Sequence, residues 1–189
     1  MKNTYDIEIS MGELSDKIRD FVKIGGFFTV VCHDPNGNLK WVETTHNLIT
    51  NEGLDHVLNV ILHGATQITT WYLALFENDH TPAAGNTYAT PGFTETTSYD
   101  EATRQAYNEA ASSSQSVTNS ANKAVITISA SITLYGLGLV GGGSAATTKA
   151  NTDGGGTLFN VATFATAREM IDDDTLSITY TAGAADDGV

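Results

Sequence analysis

The sequence predicts a mainly β protein, an antiparallel β-sandwich or jelly roll with one amphipathic helix. Short strand-like segments alternate with polar turns and long loops, and the strand–helix–strand alternation of parallel sheets does not occur. The 18 glycine residues and many threonine residues also favour turns and strands. A length of 189 residues suits one domain. We expect the sandwich at 26–181, an N-terminal arm or helix at 1–25, and a flexible acidic tail at 182–189.

The first 25 residues predict a short extended piece followed by a helix. Ser10 and Glu13 have the spacing of a capping box, in which each side chain bonds an amide of the first helical turn. The apolar residues that follow at helical spacing are Met11, Leu14, Ile18, Phe21 and Val22. Gly25 and Gly26 are expected to end this helix. Two interpretations stay open, an arm that packs on a neighbour and a helix that covers its own domain.

A β-hairpin and a second helix are predicted next. Strand-like residues 27–32 and 39–44 flank a strong turn sequence at 34–38. Residues 51–63 then have the pattern of an amphipathic helix, and Gly64 follows as a C-terminal cap. The apolar face consists of Leu54, Val57, Leu58, Ile61 and Leu62. We expect this face to cover one side or one end of a sheet.

The remaining chain predicts β structure with two long loops. Strands are expected at 69–76, 124–135, 157–164 and 175–181. The second is the clearest, because apolar residues alternate with smaller polar ones from Ile126 to Leu134. The polar segment 77–100 is predicted to be a surface loop, and the glycine-rich segment 141–156 a low-complexity loop.

Charge and cysteine content exclude several classes of protein. Nine lysine and arginine residues against 22 aspartate and glutamate residues give a net charge of −13, which repels nucleic-acid phosphates and anionic lipid. We therefore expect no nucleic-acid or membrane partner. The single cysteine, Cys32, excludes an intrachain disulfide and a multi-cysteine zinc site.

Motifs with chemical meaning are weak in this sequence. Gly136, Gly138 and Gly141 match the dinucleotide-binding fingerprint, but the helix that must follow to hold a pyrophosphate is missing. A strand that runs into a loop is favoured instead. Cys32 and His33 are adjacent in a predicted strand and point to opposite faces, so we expect a buried, unreactive thiol rather than a nucleophile–base pair.

Metal and catalytic sites are likewise not predicted. The five histidine residues have no spacing typical of a metal site; they are His33, His46, His56, His63 and His80. The run 172–174 of three aspartates lacks the alternating ligands of a calcium loop and is expected to be a solvated turn. We therefore predict no enzyme activity, no cofactor and no metal.

An ordered set of segments resembles a known class of protein. The set comprises the 34–38 turn followed by Leu39-Lys40-Trp41, then His46-Asn47-Leu48-Ile49-Thr50-Asn51-Glu52-Gly53-Leu54, Trp71-Tyr72-Leu73-Ala74-Leu75-Phe76, Pro91-Gly92-Phe93-Thr94-Glu95-Thr96, Tyr99, and the terminal Thr175-Leu176-Ser177-Ile178-Thr179-Tyr180. It resembles the small virion structural proteins of tailed bacteriophages, and most of all the capsid cement (decoration) proteins of short-tailed phages. The resemblance covers residues 26–181.

This resemblance implies a non-enzymatic subunit present in many copies on the capsid exterior of a virion that assembles in the bacterial host cytoplasm. Its implied partners are the major capsid protein and itself, as a homodimer or another homo-oligomer. The opening His46-Asn47-Leu48-x-Thr50-x-x-Gly53-Leu54 also resembles phage tail and fibre subunits. A tail, neck or fibre subunit is therefore the alternative.

Two partner-binding surfaces are predicted. The first is the N-terminal segment, with Tyr5, Ile7, Ile9 and Met11. The second is the long loop, whose aromatic residues are expected to be exposed anchors, with Pro82, Tyr88, Pro91 and Phe93. The opposing interpretation is that these residues only close the ends of the sandwich.

A carbohydrate-binding module is the hypothesis from another class. Trp41, Trp71 and Tyr72 are the aromatic residues that would stack on sugar rings. Trp71 and Tyr72 are adjacent in one strand, so only one of them can face the core. Exposure of Trp41 or Tyr72 on a flat sheet face would favour sugar binding, and burial would count against it.

Overall fold

The computed structural model describes residues 22–186, which form ten strands and one helix. The strands are β1 (Val22–His33), β2 (Leu39–His46), β3 (Leu48–Ile49), β4 (Trp71–Phe76), β5 (Ala106–Tyr107), β6 (Ser116–Thr118), β7 (Ala124–Thr127), β8 (Ile132–Gly141), β9 (Thr157–Met170) and β10 (Thr175–Asp186). The helix α1 spans Asn51–Leu62, which confirms the helix predicted at 51–63. The capping box at Ser10 and the predicted partner residues Tyr5, Ile7, Ile9 and Met11 lie outside the described residues.

The strands form two five-stranded antiparallel sheets. In the first sheet the order is β2-β1-β10-β6, and β7 pairs with β10 further along the same edge. In the second sheet the order is β3-β9-β8-β4-β5. The predicted antiparallel β-sandwich with one helix is therefore confirmed, whereas the jelly-roll connectivity stays a prediction.

The core lies between the two sheets. From the first sheet, alternate residues such as Phe28, Val30 and Ile178 are fully buried. From the second, Leu73 and Leu137 meet them in the same apolar cluster. Alternation along the strands therefore places one face of each sheet inward, as the period of two requires.

The predicted hairpin is confirmed in β1 and β2. The carboxylate of Asp34 accepts hydrogen bonds from the backbone amides of Asn36 and Asn38, which closes the turn. Gly37 has φ +81°, a left-handed conformation that side chains disfavour. The residues that predicted the turn therefore also form the contacts that join the two strands.

Two predicted boundaries fall inside strands. β1 begins at Val22, so Gly25 and Gly26 continue a strand rather than end a helix. β10 extends to Asp186, and residues 182–186 pair with residues 22–26 rather than form a flexible tail. The two terminal stretches satisfy each other's backbone groups, a long-range pairing that neither segment signals alone.

The segment 124–135 was predicted as one strand, and this is wrong. β7 belongs to the first sheet and β8 to the second, so the chain changes sheet between them. At the crossing, the amide of Ile128 donates to the carbonyl of Asp174. Ile128 is buried as expected, but Ala130 is exposed because the alternation is interrupted there.

The glycine motif of β8 has a packing role. A Cβ on Gly136 would overlap the carbonyl oxygen of Ala162 and the ring of Phe76. Gly138 likewise leaves space for the backbone of Asn160 on β9. These glycines allow close approach of a neighbouring strand and ring, which explains the spacing without a nucleotide.

One ion pair links the edges of the two sheets and is expected to make stability depend on pH. Glu43 on β2 is buried and accepts hydrogen bonds from the amide of Ala165 and the guanidinium of Arg168. Burial alone raises the pKa of Glu43, but these two donors outweigh it and hold the pKa below its usual value.

A lowered carboxyl pKa in the folded state stabilises the fold above the unfolded-state pKa, and this contribution is lost as pH falls through the folded-state pKa. We expect Glu43→Gln to be less stable than the parent chain at pH 7, with the difference shrinking as the pH falls through the lowered pKa of Glu43. Urea unfolding across this range measures it. A difference in stability that stays constant with pH would contradict the assignment.

Candidate interaction surface

The long loop at 77–100, predicted to be a partner-binding surface, packs its aromatic rings against the protein instead. Tyr88 and Phe93 are only 3% and 9% exposed, so the prediction that these aromatic rings are exposed anchors is wrong. Phe93 stacks on Phe76 with ring centroids 4.7 Å apart. Pro82 and Pro91 are half-buried, and their role in partner binding stays a prediction.

A buried ion pair holds this loop in place. Both carboxylate oxygens of Glu95 accept hydrogen bonds from the Arg104 guanidinium, at 2.5 and 2.8 Å. Arg104 also donates to the Tyr88 hydroxyl and to the carbonyls of Ala146 and Asn151. Burial raises the pKa of Glu95, while the Arg104 charge opposes that rise. The loop is therefore tied to the glycine-rich loop at 141–156 through one guanidinium.

Helix α1 is fastened to the second sheet at its N-terminal end. The Thr50 hydroxyl caps the helix by accepting from the amide of Gly53, and it also donates to the carbonyl of Leu158. The carboxylate of Glu52 accepts from the amides of Tyr88 and Leu158. The helix start is thereby locked to β9 and to the long loop.

The predicted apolar face of the helix is only partly covered by the sheets: Val57 is half-buried, whereas the other residues of that face are exposed. Gly53 is the one buried residue of the helix. Leu54, Leu58 and Leu62 lie one turn apart on the same side and are 41%, 55% and 79% exposed. We call these three leucines the outer row. Such an uncovered apolar stripe is typical of an interaction site.

Close contact at Gly53 sets the position of the helix, and this gives a prediction. A Cβ at this position would overlap the carbonyl oxygen of Phe159. We expect Gly53→Ala to cost about 1–3 kcal/mol, as overpacking does, even though alanine favours helices. Urea unfolding measures the cost. Asn59→Ala, at an exposed site on the same helix, is the control and should be neutral or stabilising; equal effects of both variants would contradict the contact.

An apolar cleft of about 420 Å³ lies on the other side of α1. Val57, Val60 and Ile61 line it from the helix. The opposite walls come from both sheets and include Trp71, Phe159, Tyr107, Tyr180 and Ala182. The cleft thus sits at the open end of the sandwich, where α1 only partly covers the gap between the sheets.

Two tyrosines at the cleft belong to the core. Tyr107 and Tyr180 are 4% and 1% exposed, and their rings meet edge to face at 5.5 Å. Tyr180 also stacks on Phe28. Burial raises the pKa of both hydroxyls above the usual tyrosine value. Both tyrosines therefore stay neutral at physiological pH.

The aromatic residues considered for sugar binding are not displayed on a flat face. Trp41, Trp71 and Tyr72 are all half-buried. The Trp41 ring packs against Phe164 and lies under the Arg168 guanidinium, 5.2 Å from its centroid. Trp71 is a wall of the cleft rather than part of an open sheet. By the criterion of exposure, this geometry counts against a carbohydrate-binding module.

Cys32 and Asp174, considered as a nucleophile and as a metal ligand, are buried in the fold. Cys32 is fully buried, and burial raises the pKa of its thiol to about 11. Asp174 is also fully buried, so the prediction of a solvated turn is wrong at that residue: its carboxylate accepts from Lys40 and from the amide of Ile171. Among residues 22–186, no group of three or more histidine, cysteine, aspartate or glutamate side chains is arranged to hold a metal ion.

Comparisons with known proteins identify no family and no relative of this chain. The chain matches no protein-family model, no curated protein and no solved structure. Within residues 22–186, no helix has the length and apolar character needed to cross a membrane. What the surface binds has to be inferred from the chain's own residues.

Proposed function

We propose that this protein is a non-enzymatic capsid cement protein of a tailed bacteriophage, which binds the outer surface of the major capsid protein shell and stabilises the head. The proposal joins the ordered segments that resemble cement proteins to one structural observation, the exposed outer row of α1. A cement protein needs an apolar contact surface on a stable body, and the outer row on its sandwich has both properties.

The helix is well placed to present such a surface. Its start is anchored by Thr50, Glu52 and Gly53, so the three leucines are carried on a positioned element rather than on a loop. A positioned helix loses little conformational entropy on binding. Leucine side chains that leave water on binding contribute roughly 25 cal/mol for each Å² of apolar area buried.

The outer row alone is small for a stable interface. A standard interface buries about 800 Å² on each partner, more than three partly exposed leucine side chains supply. We assign the remaining contact to the N-terminal segment with Tyr5, Ile7, Ile9 and Met11. The net charge of −13 suits a protein on the outside of a shell, away from packaged DNA.

Binding to shells tests the function directly. Purified protein is mixed with empty shells assembled from the major capsid protein of the phage that encodes this chain, and sedimentation measures the bound amount. We expect saturable binding at about one chain per capsid subunit and a higher shell melting temperature. Binding no greater than to an unrelated shell would overturn the proposal.

A further inference from the structure

The cleft beside α1 has the general composition of a small-molecule site. At about 420 Å³ it lies within the size range of ligand pockets, and aromatic and aliphatic side chains form most of its walls. Trp71 and Phe159 contribute rings whose centroids are 5.4 Å apart, and Val57 and Val60 line the cleft from the helix. Walls of this kind favour the transfer of an apolar ring system out of water.

Polar groups without partners lie at the floor of the cleft. Tyr107 and Tyr180 both line it, although they are only 4% and 1% exposed. Their hydroxyl oxygens are buried and make no hydrogen bond to any described residue. Buried hydroxyl groups in native proteins usually have a partner, because leaving one unpaired is costly. A molecule in the cleft can supply that partner.

Two asparagine side chains extend this polar floor. Burial raises the pKa of the Tyr180 hydroxyl, and the nearby Asn160 and Asn47 side chains oppose that rise. Neither side-chain amide is hydrogen-bonded to a described residue, and Asn160 is fully buried. A Cβ on Gly26 would overlap the Tyr180 hydroxyl, and Gly26 lies opposite the cleft residue Ala182 in the β1–β10 ladder. Hydrogen-bonding groups therefore converge at the end of the core nearest the cleft.

Charges around the cleft restrict the charge of a ligand. Among the described residues that line it, none is a lysine or an arginine, and the carboxylate of Glu109 is exposed at its rim. A negative charge on the ligand would meet this carboxylate with no lysine or arginine to balance it. A positive charge at the floor would leave water without a buried counter-ion. The cleft is therefore suited to a neutral molecule.

We propose that this cleft binds a small neutral molecule with an aromatic or alicyclic body and one hydroxyl group, which pairs with the hydroxyl of Tyr107. The apolar walls cover the body, and the hydroxyl reaches the polar floor. A few polar groups in a mostly apolar pocket are what fixes the orientation of a ligand. The outer row lines no part of this cleft, so the inference goes beyond the capsid role and does not rest on it.

Equilibrium dialysis of the full chain against three related compounds tests the proposal. 2-Naphthol is neutral at pH 7 and has both an apolar body and a hydroxyl group, naphthalene lacks the hydroxyl, and 2-naphthoate has a negative charge. We expect saturable binding of one 2-naphthol molecule per chain and at least tenfold weaker binding of 2-naphthoate. Equal affinity for these two compounds, or no saturable binding of 2-naphthol, would overturn the proposal. Because isolated protein is used, the result is independent of shell binding.

Tyr107→Phe tests the role assigned to the hydroxyl. We expect this variant to bind 2-naphthol about three- to tenfold more weakly than the parent chain, and naphthalene equally well, because only 2-naphthol uses the hydroxyl. Tyr135→Phe is the matched control, since Tyr135 lines no part of the cleft, and it should change neither affinity. An equal loss for both compounds would indicate a packing change only. No loss for either would show that water alone is the partner of the hydroxyl, and both of these results overturn the assignment.

Filling the cleft tests where the compound binds. Val60→Trp places a large ring in the cleft, and we expect it to weaken the binding of both 2-naphthol and naphthalene at least tenfold. Val125→Trp on β7, at a residue that is 47% exposed and lies outside the cleft, should bind both compounds as the parent chain does. Circular dichroism checks that both variants are folded. Unchanged binding by folded Val60→Trp would exclude the cleft as the site.

Discussion

Replacement of Arg104 by alanine is expected to destabilise the protein by about 3–5 kcal/mol, the usual cost of breaking a buried ion pair by removing one partner. Arg104 is 3% exposed and binds both carboxylate oxygens of Glu95. Without the guanidinium, Glu95 stays buried without its cation. The Tyr88 hydroxyl and the carbonyls of Ala146 and Asn151 also lose a donor.

Urea unfolding at neutral pH measures this effect. The matched control is Arg168→Ala, which removes a second arginine–glutamate pair whose arginine side chain is 27% exposed. We expect a smaller loss for Arg168→Ala, because solvent replaces part of what the side chain provided. A smaller loss for Arg104→Ala than for Arg168→Ala would contradict the importance given to the buried pair.

The second large effect concerns binding. In the shell assay, the double variant Leu58→Asp/Leu62→Asp is expected to lose at least about a hundredfold in affinity. Residues that anchor an apolar interface each cost about 2 kcal/mol or more when lost, and 1.4 kcal/mol is a factor of ten. Two buried, unpaired carboxylates at the contact would add a desolvation penalty.

The fold of this variant should be unaffected. Leu58 and Leu62 are 55% and 79% exposed, and exposed positions usually change stability by less than about 0.5 kcal/mol. The matched control is Val125→Asp, an apolar-to-acidic change on β7 that should leave shell binding intact. Loss of binding in the control as well would point to general charge repulsion, and full binding by the double variant would exclude the outer row as the contact.

Much of the fold could be predicted from local signals. Turn residues between Asp34 and Asn38, alternation from Leu176 to Tyr180 and the 3.6-residue period of α1 each gave the right element. Local signals did not give the pairing of residues 22–26 with 182–186, because it joins the beginning and the end of the described chain. They also missed the change of sheet between β7 and β8, where hydrogen bonds to Ile128 come from distant residues.

The candidate surface was harder to predict. The apolar pattern of α1 was recognised, but periodicity does not say whether a face is covered, and here the outer row is exposed. Conversely, Tyr88 and Phe93 sit in a polar loop and look exposed in sequence, yet the Arg104–Glu95 pair folds that loop onto the sandwich. One buried arginine whose partners are spread over residues 88–151 has no local sequence signature.

The central claim is that the chain is a cement subunit of a phage head. The most direct measurement is its copy number relative to the major capsid protein in purified virions of the phage that encodes it, by quantitative mass spectrometry. A ratio of order one is predicted, because a cement protein repeats with the capsid lattice. A ratio matching a single ring or a few fibres would instead assign it to the neck or tail, and absence from the particle would contradict a virion role altogether.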